Sequence, residues 1–231
     1  IEPGAGRDLM ALLLYGSRIS FSIALITSIT YVGIGLILGI TSAYVGGVLD
    51  SIIGRIADFL LAFPTTFMFV ALSVPLTMRV EATGIAKDNG ARIVVMVIVL
   101  TIFSWPGFFR VVRSQVLSLR EREFVLASQV LGASRRRIIF KELMPNLWPF
   151  AIIYLSISLP GYLAAEAVFS FLGVGVQAPS TTWGLVLNDA ASFWQRDPTY
   201  LAIPALMVIT VVLSLNLLGD GLRDALDPKA N

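Results

Sequence analysis

The chain has 231 residues and contains no cysteine and no histidine. These absences exclude disulfides, thiol catalysis, His-dependent general-base chemistry and nearly all zinc or haem ligation. Charge is scarce too, at 14% of residues, where soluble domains carry about 25%. So little charge cannot cover a water-facing surface. No Gly-Lys pair occurs, so no G-x-x-x-x-G-K-[ST] loop can cradle ATP phosphates. The formal net charge of +2 gives no basis for nucleic-acid binding.

What is present is apolar. Hydrophobic residues make up 56% of the chain, and its mean hydropathy is +0.83. The fold class expected is an all-α polytopic membrane protein. Charge-free intervals locate the spans: 19–49, 59–78, 93–109, 143–165 and 198–219. A membrane helix needs roughly 20 apolar residues. Five transmembrane helices are therefore predicted, near 19–43, 56–78, 92–112, 149–172 and 200–219. Pro64, Pro75, Pro106, Pro160 and Pro204 fall in or near them, where each removes a backbone donor and tends to bend a helix. Gly35 and Gly39 form a GxxxG pair that permits close helix approach.

The most informative stretch runs from Arg110 to Glu142. It holds eight of the 17 Lys and Arg residues, and only Glu121, Glu123 and Glu142 as acids. The positive-inside rule puts it in the cytoplasm. Alternation then places 44–55 and the tail from Asp220 inside as well, and the N-terminus outside. The chain begins with Ile1 and shows no signal peptide. A sixth span is therefore expected to precede it in the parent protein.

Inside the island, Leu119 to Leu131 reads as a helix, with Phe124, Ala127 and Leu131 at helical spacing. Gly132 ends it, and Ser134 caps a second helix over Arg135 to Leu143. Pro145 is expected to stop that helix, and Pro149 to open the next membrane span. From pattern alone the loop is either an amphipathic element on anionic lipid or a docking element for a soluble partner.

The stretch Glu123-Phe-Val-Leu-Ala-Ser-Gln-Val-Leu-Gly132, followed by Met144-Pro145-Asn146, resembles the cytoplasmic EAA loop of ABC-importer permease subunits. That pattern is Glu-Ala-Ala, three residues, Gly, nine residues, then Ile-x-Leu-Pro. Leu126-Ala127-Ser128 occupies the triplet, Gly132 the glycine and Pro145 the proline. The departures are Leu126 for Glu, Ser128 for Ala, Glu142 for Ile and Met144 for Leu. The chain also resembles the C-type subunit of the dipeptide/oligopeptide permease family along nearly its whole length. Matching segments include Gly6-Arg7-Asp8, Leu14 to Ser20, Ala43 to Gly47, Phe171 to Gln177, Trp183-Gly184 and Gly219 to Pro228.

The resemblance implies a single ABC transporter type-1 transmembrane domain over 1–231, with the coupling loop at 113–146. It implies a multi-pass permease of the bacterial inner membrane, forming half of a translocation pathway for di- and oligopeptides. Its partners would be a homologous second permease, two ABC ATPase subunits, an extracytoplasmic peptide-binding protein and membrane lipids. No cofactor is expected in this chain; ATP and Mg would sit on the ATPases. Coupling residues implied are Glu123, Leu126, Ala127, Ser128, Gly132, Arg135, Arg136 and Pro145. Asp58 and Glu166 are the only acids near membrane depth, and Glu166 is the one weak candidate for touching substrate. Alternatives are a permease for nickel chelates or glutathione, and, from a different class, a stand-alone secondary transporter. A membrane enzyme would lack His, Cys and paired carboxylates within one span.

Overall fold

The computed structural model describes Gly6 and residues 8–226. Arg7 of the Gly-Arg-Asp segment, and Asp227 and Pro228 of the terminal segment, lie outside the described residues. The elements are α1 (Leu9–Val45), α2 (Gly47–Leu61), α3 (Thr65–Thr83), α4 (Asp88–Leu119), α5 (Glu123–Val130) and α6 (Arg135–Arg137). A π-helical turn (Ile138–Leu143) leads into α7 (Met144–Phe171), followed by α8 (Trp183–Ala191) and α9 (Pro198–Leu226).

Among the described residues, four stretches are long and apolar enough to cross a membrane: α1, α4, Arg135–Phe171 and α9. A fifth exists if α2 and α3 count as one span, but they meet at 88°. The predicted span near 56–78 is thus sharply broken within its length. The break lies at Pro64, which takes an extended backbone (ψ 119) before α3 begins. Proline also disfavours helix at the residue before it. The prolines at 75, 106, 160 and 204 leave their helices formed.

The α1–α4 pair is the spine of the bundle. A Cβ on Gly35 would stand 2.9 Å from a Phe108 ring carbon and 3.1 Å from Phe109 N. One on Gly39 would stand 2.6 Å from Val112 Cγ1 and 3.2 Å from Phe109 O. The GxxxG pair is therefore where two backbones touch, and any larger residue would push them apart. Thr30 and Thr101 bridge the same helices through their hydroxyls, 2.8 Å apart.

Three apolar clusters follow from this pairing. The first joins the C-terminal half of α1 (Leu36, Ile40) to α4 (Phe108, Val112, Val116), Val125, Ile138 and the start of α7. It fastens the loop to the bundle. The other two lie toward the far end. One centres on Leu13, Leu163 and Trp183, the other on Ile23, Phe69, Met96 and Phe169. Helix α9 is peripheral, with only Tyr200, Pro204 and Gly219 buried. Leu206, Ile209, Leu213 and Leu217 point outward at helical spacing, as acyl chains require of a lipid-facing stripe.

Candidate functional site

The island folds as a compact excursion between two long helices. Helix α4 runs past its predicted end and stops at Leu119. A turn at Arg120–Arg122 follows, so α5 covers only Glu123–Val130 rather than 119–131. Glu123 lies in the first turn of α5, where the helix dipole favours an acid. Val125 is fully buried and pins α5 to the bundle. Leu126 is 46% exposed, Val130 88% and Leu131 86%, so the free face of the loop is apolar.

Gly132 ends α5 in the left-handed region, at φ +78°. Its N–H donates to Gln129 O at 2.9 Å, and Ala133 N–H donates to Ser128 O at 3.0 Å. These are the two bonds of a Schellman motif, which satisfies carbonyls left over at a helix end. A Cβ at Gly132 would meet nothing within 4 Å, so the demand for glycine is the backbone angle alone. Ser134 then caps α6, its Oγ accepting from Arg137 N–H at 3.4 Å.

Beyond the cap, the structure overturns two expectations about proline. Pro145 does not stop the second helix, and Pro149 does not open a new one. Helix runs unbroken from Arg135 to Phe171, with Pro149 inside it. The π-helical turn just before Pro145 supplies the reason. Met144 N–H bonds Ile139 O, one residue farther back than in an α-helix. That extra residue loosens the register where a proline ring would otherwise press on the carbonyl four residues back. The loop from Arg135 onward and α7 therefore form one continuous rod.

Ion pairs brace the loop end. Arg113 on α4 grips Asp50 on α2 through two bonds, 2.7 and 2.6 Å. Arg110 pairs with Asp58 at 2.5 Å, both exposed. Asp58 is thus exposed and tied to the basic island. Arg120 donates to Ala43 O at 3.1 Å, satisfying a carbonyl at the end of α1.

Glu166 belongs to another place. It is fully buried at the far end of α7. The hydroxyls of Ser20, Ser170 and Thr182 surround its carboxyl. Ser170 Oγ donates to Oε1 at 2.7 Å, and Oε2 has no partner of hydrogen-bond geometry among the described residues. Each of those hydroxyls also accepts a backbone N–H from the segment after α7: Val176, Trp183 and Leu185. Glu166 therefore sits at the hub that fastens this segment to α1 and α7. Beyond the bundle, Asp197 caps α9, accepting from Thr199 and Tyr200 N–H. The Thr199 hydroxyl and those amides hold its carboxyl below the usual range.

With this geometry in view, the comparisons with known proteins are specific. A family profile described as "Binding-protein-dependent transport system inner membrane component" matches residues 32–231. The chain belongs to this family. An oligopeptide transport system permease protein OppC of Haemophilus influenzae is 39% identical over 97% of this chain and 68% of that protein. A dipeptide transport system permease protein DppC of Alkalihalophilus pseudofirmus is 36% identical over 97% and 69%. A glutathione transport system permease protein GsiD of Pectobacterium atrosepticum is 34% identical over 97% and 70%. Among solved structures, a chain of the MetNI methionine ABC transporter in an inward-facing conformation superposes with a TM-score of 0.71. At 20% identity, over 95% of this chain and 98% of that one, it shows a shared fold.

As a binding-protein-dependent permease, the chain brings its predicted loop residues together on one excursion. Glu123, Leu126, Ala127, Ser128 and Gly132 lie on or just after α5, Arg135 and Arg136 on α6, and Pro145 at the start of α7. All but half-buried Ser128 are exposed. Two departures from the EAA pattern meet each other: Ser128 Oγ donates to Glu142 Oε1 at 3.2 Å. Where the pattern has Ala and Ile, this chain has a hydrogen-bonded polar pair. Glu142 is a loop residue that the candidate set left out. The signal was there in two complementary polar departures 14 positions apart.

Proposed function

We propose that this permease is the membrane subunit of an ATP-driven importer for di- and oligopeptides, contributing half of the translocation pathway. The observation that carries this reading is the loop. A short helix with an apolar exposed face is joined by a Schellman turn to a helix that runs unbroken into a membrane span. Such a rod carries a push at α5 to α7 as rigid-body motion. The coupling loop is 113–146, with Glu123, Leu126, Ala127, Ser128, Gly132, Arg135, Arg136 and Pro145 as its working residues, in one transmembrane domain over 1–231.

The chain lacks a phosphate-binding loop. ATP and Mg therefore belong to two separate ATPase subunits, one docking on α5. A second homologous permease and an extracytoplasmic peptide-binding protein complete the assembly in a bacterial inner membrane. Loop and C-terminus face the cytoplasm, as the eight basic residues of the island favour. The peptide substrate is supported by the likeness to oligopeptide and dipeptide permeases.

Glutathione is the second reading, favoured by the 34% identity to a glutathione permease. The complex in nanodiscs, with its binding protein loaded by di- or oligopeptide, glutathione or a nickel chelate, distinguishes these. Peptide-loaded binding protein is expected to stimulate ATP hydrolysis several-fold. Stimulation by glutathione alone would sink the peptide reading. Transport with no ATPase subunit present would sink the importer reading in favour of a secondary transporter.

A further inference from the structure

A cavity of about 500 Å³ opens at the loop end, lined by Tyr44, Arg120, Glu121, Gln129 and Arg135. These residues come from the end of α1, the turn after α4, α5 and the start of α6. The cavity therefore forms only when the loop is folded on the bundle. Arg120 uses one nitrogen on Ala43 O, and its other terminal nitrogen stands 3.9 Å from Glu121. The Arg135 side chain has no hydrogen-bond or ion-pair partner among the described residues. Two arginines, a tyrosine and a glutamine thus line one space with a single acid. Arginine presents several donors in a planar fork that suits carboxylate and phosphate oxygens.

We propose that this cavity receives an Asp or Glu side chain from the ATPase subunit that docks on α5. The inference rests on the docking role proposed for the loop and adds its recognition chemistry. Two observations favour a protein carboxylate over a lipid phosphate. Helix α4 continues from Arg110, its first charged residue beyond the apolar run, to Leu119. That is about 14 Å at 1.5 Å per residue. Headgroups add only roughly 5–8 Å to each side of the hydrocarbon. Beside the cavity, Val130 and Leu131 stand 88% and 86% exposed. An apolar crest next to an arginine pocket matches a protein groove with an acidic rim, since interfaces set an apolar core inside a polar rim.

Arg135→Glu is the decisive variant. The side chain is exposed and bears no bond among the described residues, and an acid in the first turn suits the helix dipole. The whole complex is assembled in nanodiscs, and ATPase-subunit affinity is measured against salt. Arg135→Glu is expected to weaken it about 10–100-fold and to flatten its salt dependence. Arg135→Lys, which keeps the charge and loses the planar fork, should fall between wild type and Arg135→Glu. One Asp or Glu→Lys change in the ATPase subunit should restore binding to the Arg135→Glu protein. Wild-type affinity in the Arg135→Glu protein would overturn the proposal. So would a loss seen only in nanodiscs holding anionic lipid, which would assign the cavity to a phosphate headgroup. If the wild-type chain retains no ATPase subunit, the docking role fails at the earlier step and this inference with it.

Discussion

Two ends of the same helix use one backbone device for opposite purposes. Gly132 precedes the rod that becomes α7, and Gly173 follows its end; both have φ +78°. At Gly173 the N–H donates to Ser170 O at 3.1 Å, and Val174 N–H to Phe169 O at 3.1 Å, a second Schellman motif. What differs is the company each turn keeps. The turn at Gly132 leaves Val130 and Leu131 in the open. The segment after Gly173 is tied to both α1 and α4. Trp183 is 1% exposed, and its indole N–H donates to Leu13 O at 2.9 Å. Asn89 and Arg92 on α4 hold Gln177 and Gly175. A helix–glycine turn therefore says where a chain bends. Whether the bend is a docking element or a fastening depends on the side chains that tertiary contact buries.

The comparison breaks most visibly at Trp183. Trp183→Ala removes a buried indole packed edge-on to Phe21, with ring centroids 5.4 Å apart. The expected loss is about 3–5 kcal/mol, read as a lower melting temperature of the solubilised protein by circular dichroism. An unchanged melting temperature would mean the far-end clamp is not a stability element. Trp148, 52% exposed near the loop end, is the control and should change little on the same substitution.

The two glycines sharpen the contrast next. A Cβ-bearing residue in the left-handed region costs about 1–2 kcal/mol, and neither glycine has a neighbour that a Cβ would strike. Gly173→Val should lower melting and transport together. Gly132→Val should leave assembly largely intact while uptake per ATP hydrolysed falls. Equal uptake per ATP in the Gly132→Val protein and wild type would show that this bend transmits nothing.

The smallest effect is expected at the Ser128–Glu142 bond. A double-mutant cycle of Ser128→Ala and Glu142→Ile should give a coupling of about 0.5–1.5 kcal/mol in chemical unfolding in micelles. The double variant restores the apolar types of the EAA pattern at both positions. It should transport closer to wild type than either single change. Additive effects would mean the two side chains act independently.

Much of this was legible locally. Charge-free runs mark the membrane helices because a buried charge is expensive at membrane depth, and four of the five predicted spans contain one long helix. Gly132 and Ser134 were readable because a positive φ and an N-cap each depend on a few adjacent residues. Continuity through Pro145 was not readable, because a π-helical turn upstream relieves the clash the proline would cause. The 88° break at Pro64 was hidden, since a proline in an apolar run signals a kink or a break equally well. Helix α8 stayed invisible because its anchor, Leu13 O, lies 170 residues away.

Composition and local pattern by themselves determined that the chain spans a membrane, carries a basic helix–glycine–helix loop and holds no phosphate-binding loop of its own. Those features depend on hydration, charge and backbone preference within a few turns of chain. Tertiary structure alone decided that Ser128 meets Glu142, that Arg120 and Arg135 share one cavity, and that Glu166 fastens rather than faces outward. Each depends on side chains of separate elements being packed side by side, on a bundle whose α1–α4 pair touches at Gly35 and Gly39.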